Sequence, residues 1–125
     1  MAEPATYLNV TPISRKNTAV AIGRGLRCLI DANGLISVAG ILVKGDVVTA
    51  QDFAAAGEYG LVFPVSSPGA VPAVASEAVA VGDDAYSAAN GQFSKTSTGA
   101  VYVGRWVQAA SGAGVLGAVL LGSPE

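Results

Sequence analysis

Histidine is absent from the 125 residues. That absence removes the commonest general base, the nucleophile systems built on a Ser–His or Cys–His pair, and the best neutral metal ligand. Cysteine occurs once, at Cys28, so no disulfide can form within the chain. Flanked by Leu26 and Ile30 on its own side of a strand-like run, Cys28 reads as a buried, inert thiol. Charge is scarce as well: 13% of residues are charged, about half the usual share, and the net charge of −2 offers no footprint for nucleic acid or anionic lipid. Long apolar runs are missing too, since the most apolar tract, 112–122, falls far short of the roughly 20 residues that span a bilayer. Met1-Ala2-Glu3-Pro4 lacks the basic and then apolar pattern of a signal peptide, so the expectation is a protein made and used in a cytosol.

Without histidine, the remaining candidates for chemistry are carboxylates, and the adjacent pair is Asp83-Asp84. Neighbours along a strand point to opposite faces, so the pair reads as a solvated turn rather than an acid/base or calcium site. Asp46 reads the same way. Gly23-Arg24-Gly25 lacks the downstream glycine of a dinucleotide fingerprint and the Gly-Lys-Ser/Thr of a P-loop, and is expected to be a turn or bulge. These readings predict a protein that is not an enzyme, with no cofactor, no bound metal and no small-molecule substrate.

What the chain does contain is Ala, Val and Gly, with 51% apolar residues overall. A chain this poor in charge has little with which to cover a monomer's surface, so part of its outside is expected to be buried against copies of itself or another protein. Its length corresponds to one domain.

The segment 82–107 carries the clearest local signal. Asn90-Gly91 stands between two runs that can alternate, with Tyr86 ahead and Phe93 behind, and both turn residues tolerate the positive φ of a type I′ hairpin. The return continues through 100–107 as a long strand, with Val101, Val103, Arg105 and Val107 on one face and Tyr102 and Trp106 on the other. The same plan occurs earlier, where Asp31-Ala32-Asn33-Gly34 precedes Leu35 to Val38 and a second run from Ile41 to Val48. Asn33 and Asn90 are 90 − 33 = 57 apart, while Gly40 to Gly99 and Gly45 to Gly104 are 59 apart, which suggests a two-residue insertion in the second copy. Pseudo-repeats at about 23–65 and 81–121 are expected to pack on one core.

The expected fold is all-β, a small β-barrel or β-sandwich built from two related hairpin units, with at most one short helical turn at Phe53 to Ala56 capped by Asp52. Residues 1–17 read as an extended N-terminal arm, broken by Pro4 and Pro12, ahead of a single β domain over 18–125. Tyr59, Leu61, Phe63 and Val65 are expected on one side of a strand, and Pro72 marks an edge strand or loop. Phe63, Tyr86 and Trp106 are candidates for core or interface packing. Tyr7, Leu8, Arg15, Lys16 and Arg105 are candidates for subunit or partner contact, the arm by strand addition.

The run Val81-Gly82-Asp83-Asp84-Ala85-Tyr86, then Asn90-Gly91, Gly99, Val103-Gly104-Arg105, an Ala-rich link and an apolar last strand resembles the capsid decoration, or cement, proteins of tailed bacteriophages. These are small Ala/Gly/Val-rich chains often catalogued only as an uncharacterised domain. The likeness covers about Gly23 to Leu121, including Lys44-Gly45-Asp46-Val47-Val48 in the first copy. It implies a structural virion protein on the outer capsid surface, made in the host bacterial cytoplasm. It also implies homotrimers at three-fold and quasi-three-fold positions that clamp the major capsid protein. The alternative is a non-enzymatic binding or assembly module of another phage structure, such as a tail or baseplate accessory. A biotinyl or lipoyl carrier domain would need its modified Lys at a hairpin tip, and here both tips are Asn-Gly.

Overall fold

The structure is a computed structural model and describes residues 13–17, 22–53, 59–65 and 69–121, with side chains from residue 22 onward, Tyr59 excepted. The strands are β1 (Ile13–Asn17), β2 (Arg27–Ile30), β3 (Leu35–Val38), β4 (Val47–Thr49), β5 (Tyr59–Pro64), β6 (Gly69–Val74), β7 (Asp84–Ser87), β8 (Phe93–Ser94), β9 (Tyr102–Gln108) and β10 (Leu116–Leu121). A tight turn at Ala89–Gly91 joins β7 to β8. The fold is all-β and sandwich-like.

Its two halves repeat each other strand for strand. In the first unit the order is β3-β2-β4-β5-β1, and in the second it is β8-β7-β9-β10-β6. The pairing register fixes the correspondence. Arg27↔Val48 matches Asp84↔Arg105, and Thr49↔Val62 matches Trp106↔Val119, with offsets of 84 − 27 = 105 − 48 = 119 − 62 = 57. The bridge Ile22↔Phe53 recurs as Val79↔Ala110 at the same offset. Register therefore aligns Gly104 with Val47 and removes the 59-residue alignment of Gly104 with Gly45. The repeat is also larger than a hairpin pair, because β1 and β6 take equivalent places beside β5 and β10.

Ile13–Asn17, expected as the end of the arm, is thus a strand: it pairs antiparallel with β5 and, at Lys16 and Asn17, parallel with β3, which closes the first unit. In the second unit the equivalent closure is reduced to one parallel bridge, Ala75↔Phe93. The rest of the arm, 1–12, and the helical turn expected at Phe53 to Ala56 beyond Phe53 lie outside the described residues. The Asp52 carboxylate accepts the Arg24 N–H at 2.8 Å, closing the Gly23-Arg24-Gly25 turn.

Each unit has its own core rather than a share of one. Ile22, Cys28, Ile36, Val47, Phe53 and Val62 fill the first. Val71, Val79, Phe93, Val103, Trp106 and Val119 lead the second, where Val48 joins them and Phe63 and Val65 pack alongside. Strand β5 serves both: Gly60 and Val62 face the first core, while of the side expected to be apolar Phe63 and Val65 pack on the second core and Leu61 is exposed. The large aromatic enters from a different position in each unit. Phe53 lies against Gly60, where an added Cβ would sit 2.6 Å from the ring, and Trp106 lies against the equivalent Gly117 at 3.0 Å. Thr49 and Ala110 occupy the positions exchanged. The space above that glycine is filled by a ring from a different position in each unit, and in the second unit a further buried ring, Phe93, packs against it.

The alternation expected for 100–107 fails at one point. A register shift at Ala85/Tyr86 makes Val103 an extra residue in β9, so Val103 is buried together with Trp106 while Arg105 and Val107 stay exposed. A bulge re-aims the side chain at the extra residue and bends the strand, and a second register shift at Ala118/Val119 leaves Val107 between the rungs of Trp106 and Gln108. Likewise Leu35–Val38 and Val47–Thr49 do not pair with each other, because β2 lies between them.

Trp106 is fully buried, its indole N–H donates to the Ser94 carbonyl at 3.1 Å, and Phe93 meets it edge-on. Trp106→Ala is expected to cost about 3–5 kcal/mol through the cavity it leaves. Urea unfolding is the measurement, and an unchanged midpoint would contradict the packing described.

Candidate functional site

Strand β2 places Cys28 in the first core and Arg27 on the opposite face, where the loop after β3 and the second unit together bury it completely. The two hairpin tips explain how. At Asn33-Gly34, the Asp31 carboxylate accepts both the Asn33 and Leu35 N–H groups, and only Gly34 needs a left-handed φ. At the equivalent tip the residue matching Asp31 is Ala88, which has no such acceptor. There Asn90 (φ 59, ψ 33) and Gly91 (φ 75) both take the left-handed values of a type I′ turn, with the Gln92 N–H donating to the Ala89 carbonyl. Gly91 lies so near β2 that a Cβ on it would be 2.8 Å from the Arg27 carbonyl oxygen. The second tip is therefore docked on the first unit, directly over Arg27.

The Arg27 guanidinium is satisfied by carbonyls alone. Its Nε donates to Gln92 at 3.1 Å, one terminal nitrogen donates to Gly40 at 3.2 Å and also to Val43, and the other donates to Ala88. Phe93 presents its ring face 5.8 Å from Cζ. Burial pushes the guanidinium down to about 10, with the neighbouring Cys28 opposing the shift, so Arg27 stays cationic at neutral pH. A fork of donors matches such an array as a lysine's point charge could not.

The consequence falls on the β3–β4 connection, expected as the continuation of a strand. Arg27 draws the Gly40 and Val43 carbonyls inward, and the Ser87 hydroxyl, itself fully buried, donates to the Ile41 carbonyl while accepting the Val101 N–H at 2.8 Å. With its carbonyls held inside, the loop turns its apolar side chains out: Ile41 is 39% exposed, Leu42 76% and Val43 40%. Three consecutive exposed apolar residues on a clamped backbone are the reverse of an ordinary surface loop, which shows polar side chains on a mobile one. Beside them opens a shallow cleft of about 370 Å³, lined by Ile41, Ser76, Glu77, Gln92, Ser94 and Thr96 among others. One Glu77 carboxylate oxygen accepts the Lys95 N–H at 3.1 Å and the Thr96 hydroxyl at 2.7 Å. This ridge and cleft form the candidate site.

The residues singled out from sequence are dispersed. Tyr7 and Leu8 lie outside the described residues; Arg15 and Lys16 are placed on β1, opposite Gly60 and Tyr59. Arg105 is exposed on β9, with its Nε 4.0 Å from an Asp84 carboxylate oxygen, a surface pair of small energetic weight. Asp83 closes its turn by accepting the Ala80 N–H, and the Asp46 carboxylate accepts that of Ile30. Tyr86 is half-buried edge-on to Tyr102, and Phe63 is half-buried against the second core. Among the described residues no group of three or more His, Cys, Asp or Glu side chains is placed to hold a metal ion. Arg27 escaped attention because alternation puts it on the outer face of a short strand; the signal present was a lone Arg inside the apolar run Leu26–Ile30. No protein-family model matches this chain, and no curated protein matches it either.

Removing the fork should leave several buried carbonyls unpaired, so Arg27→Ala is expected to lose at least about 3 kcal/mol and Arg27→Lys to recover only part of it. Hydrogen exchange over 40–44 should accelerate in both variants more than at β10. Burial pushes the Cys28 thiol up from 9.0 to about 12, against the pull of Arg27. Its thiol should therefore resist an aromatic disulfide reagent at pH 8 until the protein unfolds. The raised folded value also means that this group's contribution is intact below pH 9 and is lost as pH rises from there toward 12. Arg27, lowered by burial, acts oppositely but only above about 10, so between pH 9 and 10 stability should fall relative to Cys28→Ala, by up to roughly 1 kcal/mol.

Proposed function

We propose that the protein is a capsid decoration protein of a tailed bacteriophage, which binds the outside of the head as a homotrimer at three-fold and quasi-three-fold positions and stabilises the major capsid protein shell. The observation that carries this reading is the clamped loop 40–44, whose backbone is tied inward by Arg27 and Ser87 while Ile41, Leu42 and Val43 project. A pre-ordered apolar ridge binds without the entropy cost of ordering a loop, and exposed aliphatics on a rigid base suit a protein partner better than a solute. The sequence features that resemble decoration proteins, and a surface poor in charge, support the same reading. Cementing then works by avidity: a modest contact from each protomer, multiplied when one trimer bridges several shell subunits.

Light scattering of the purified protein should give about three times the 12.4 kDa chain mass. Co-sedimentation with expanded, undecorated capsids should load the protein on the shell. Leu42→Asp, at a position too exposed to disturb folding, should lower capsid occupancy at least about tenfold. Wild-type protein that fails to sediment with such shells would refute the decoration role and leave a tail or baseplate accessory as the reading to pursue.

A further inference from the structure

We infer that the cleft beside the 40–44 ridge is a receptor for a basic side chain, and that the ridge and cleft together bind an extended protein segment in which a Lys or Arg is flanked by aliphatic residues. Charge complementarity decides the occupant. Glu77 is the charged residue lining the cleft, and one of its carboxylate oxygens is held by the Lys95 N–H and the Thr96 hydroxyl. Those two bonds fix the carboxylate in place. Its second oxygen has no hydrogen-bond partner and no cation within ion-pair distance among the described residues. A carboxylate so oriented, in a recess lined by hydroxyls and an amide, accepts an ammonium or guanidinium group with charge-assisted geometry. The hydroxyls of Ser76 and Thr96 can share the donors that Glu77 does not take.

The neighbouring ridge selects what flanks that cation. Ile41 lines the cleft and also belongs to the apolar strip, so a cation seated at Glu77 places its neighbours in the partner chain over Leu42 and Val43. Polar and apolar recognition then sit side by side on one clamped loop and one fixed carboxylate. Glu77 would repel a nucleic-acid strand, and no basic side chain among the described residues lines the cleft to receive a phosphate or a lipid headgroup. The identity of the partner as a capsid subunit rests on the proposed function; the chemistry of the bound segment does not.

The test is titration of isotope-labelled protein with acetyl-Ala-Leu-Lys-Leu-Ala-amide and with the same peptide carrying Gln in place of Lys. Amide shifts confined to residues 41–44, 76–77 and 94–98, with the Lys peptide bound roughly two- to fivefold more tightly, are expected. Glu77→Gln keeps an acceptor for Lys95 and Thr96 and should abolish the preference for Lys, while Leu42→Ser should weaken both peptides alike. Equal binding of the two peptides, shifts elsewhere, or no shifts at millimolar peptide would overturn the inference. Capsid co-sedimentation separates the two proposals. Wild-type loading that survives both Glu77→Gln and Leu42→Ser would overturn this docking surface while leaving decoration intact. Absence of wild-type loading would overturn decoration, and the peptide result would still decide the receptor.

Discussion

One buried cation joins the parts of this molecule. Arg27 carries its charge into a site closed to water, where each N–H needs an acceptor, and it finds them on two segments: the loop at Gly40 and Val43, and the second unit's tip at Ala88 and Gln92. A carboxylate partner would have neutralised the charge locally. Carbonyls spread the demand over backbone from both halves, so moving either half leaves donors unsatisfied at a cost of roughly 1–3 kcal/mol each. The relative placement of the two units and the outward display of the 40–44 side chains thus have one cause.

The same tie accounts for the asymmetry of a duplicated fold. In the first unit β1 closes on β3. In the second, Gly25 stands at the equivalent opening: the Val74 N–H donates to its carbonyl at 3.0 Å, and a Cβ on Gly25 would meet the Leu116 side chain at 2.8 Å. The segment 25–27 of one unit fills the gap that the other unit closes with its own strand. Asp84, the residue matching Arg27, is left on the surface with Arg105. The two like units thus differ in role, one a wedge and the other a receiver, and the ridge and cleft lie where the two meet.

Much of this was legible before any coordinates. The all-β class, the Asn90-Gly91 hairpin, the turns at Gly23 to Gly25 and Asp83, the burial of Cys28 and Trp106, the edge character around Pro72 and the 57-residue spacing all follow from short-range causes: left-handed turn residues, period-two alternation, and the absence of partners for a thiol. Misjudged were the features that depend on a second strand. The 59-residue glycine alignment failed because equivalence is set by ladder register, and Gly45 and Gly104 stand at different rungs. Val103 was put on the wrong side because a bulge is decided by its neighbour β7. Ile13 to Asn17 looked like an arm because five polar or isolated residues carry no pattern of their own, and only pairing with β5 and β3 makes them a strand.

The amino-acid order alone determined what this chain could not do by histidine, disulfide or long apolar helix, and it determined where the backbone turns, since those properties reside in single residues and their immediate neighbours. Tertiary structure decided the rest. Ile41-Leu42-Val43 is as good a strand sequence as any in the chain. It becomes an exposed ridge because Arg27, thirteen residues upstream of Gly40, and Ser87 hold its carbonyls inside, and that competition between a sheet partner and buried side-chain donors exists only once both units have come together.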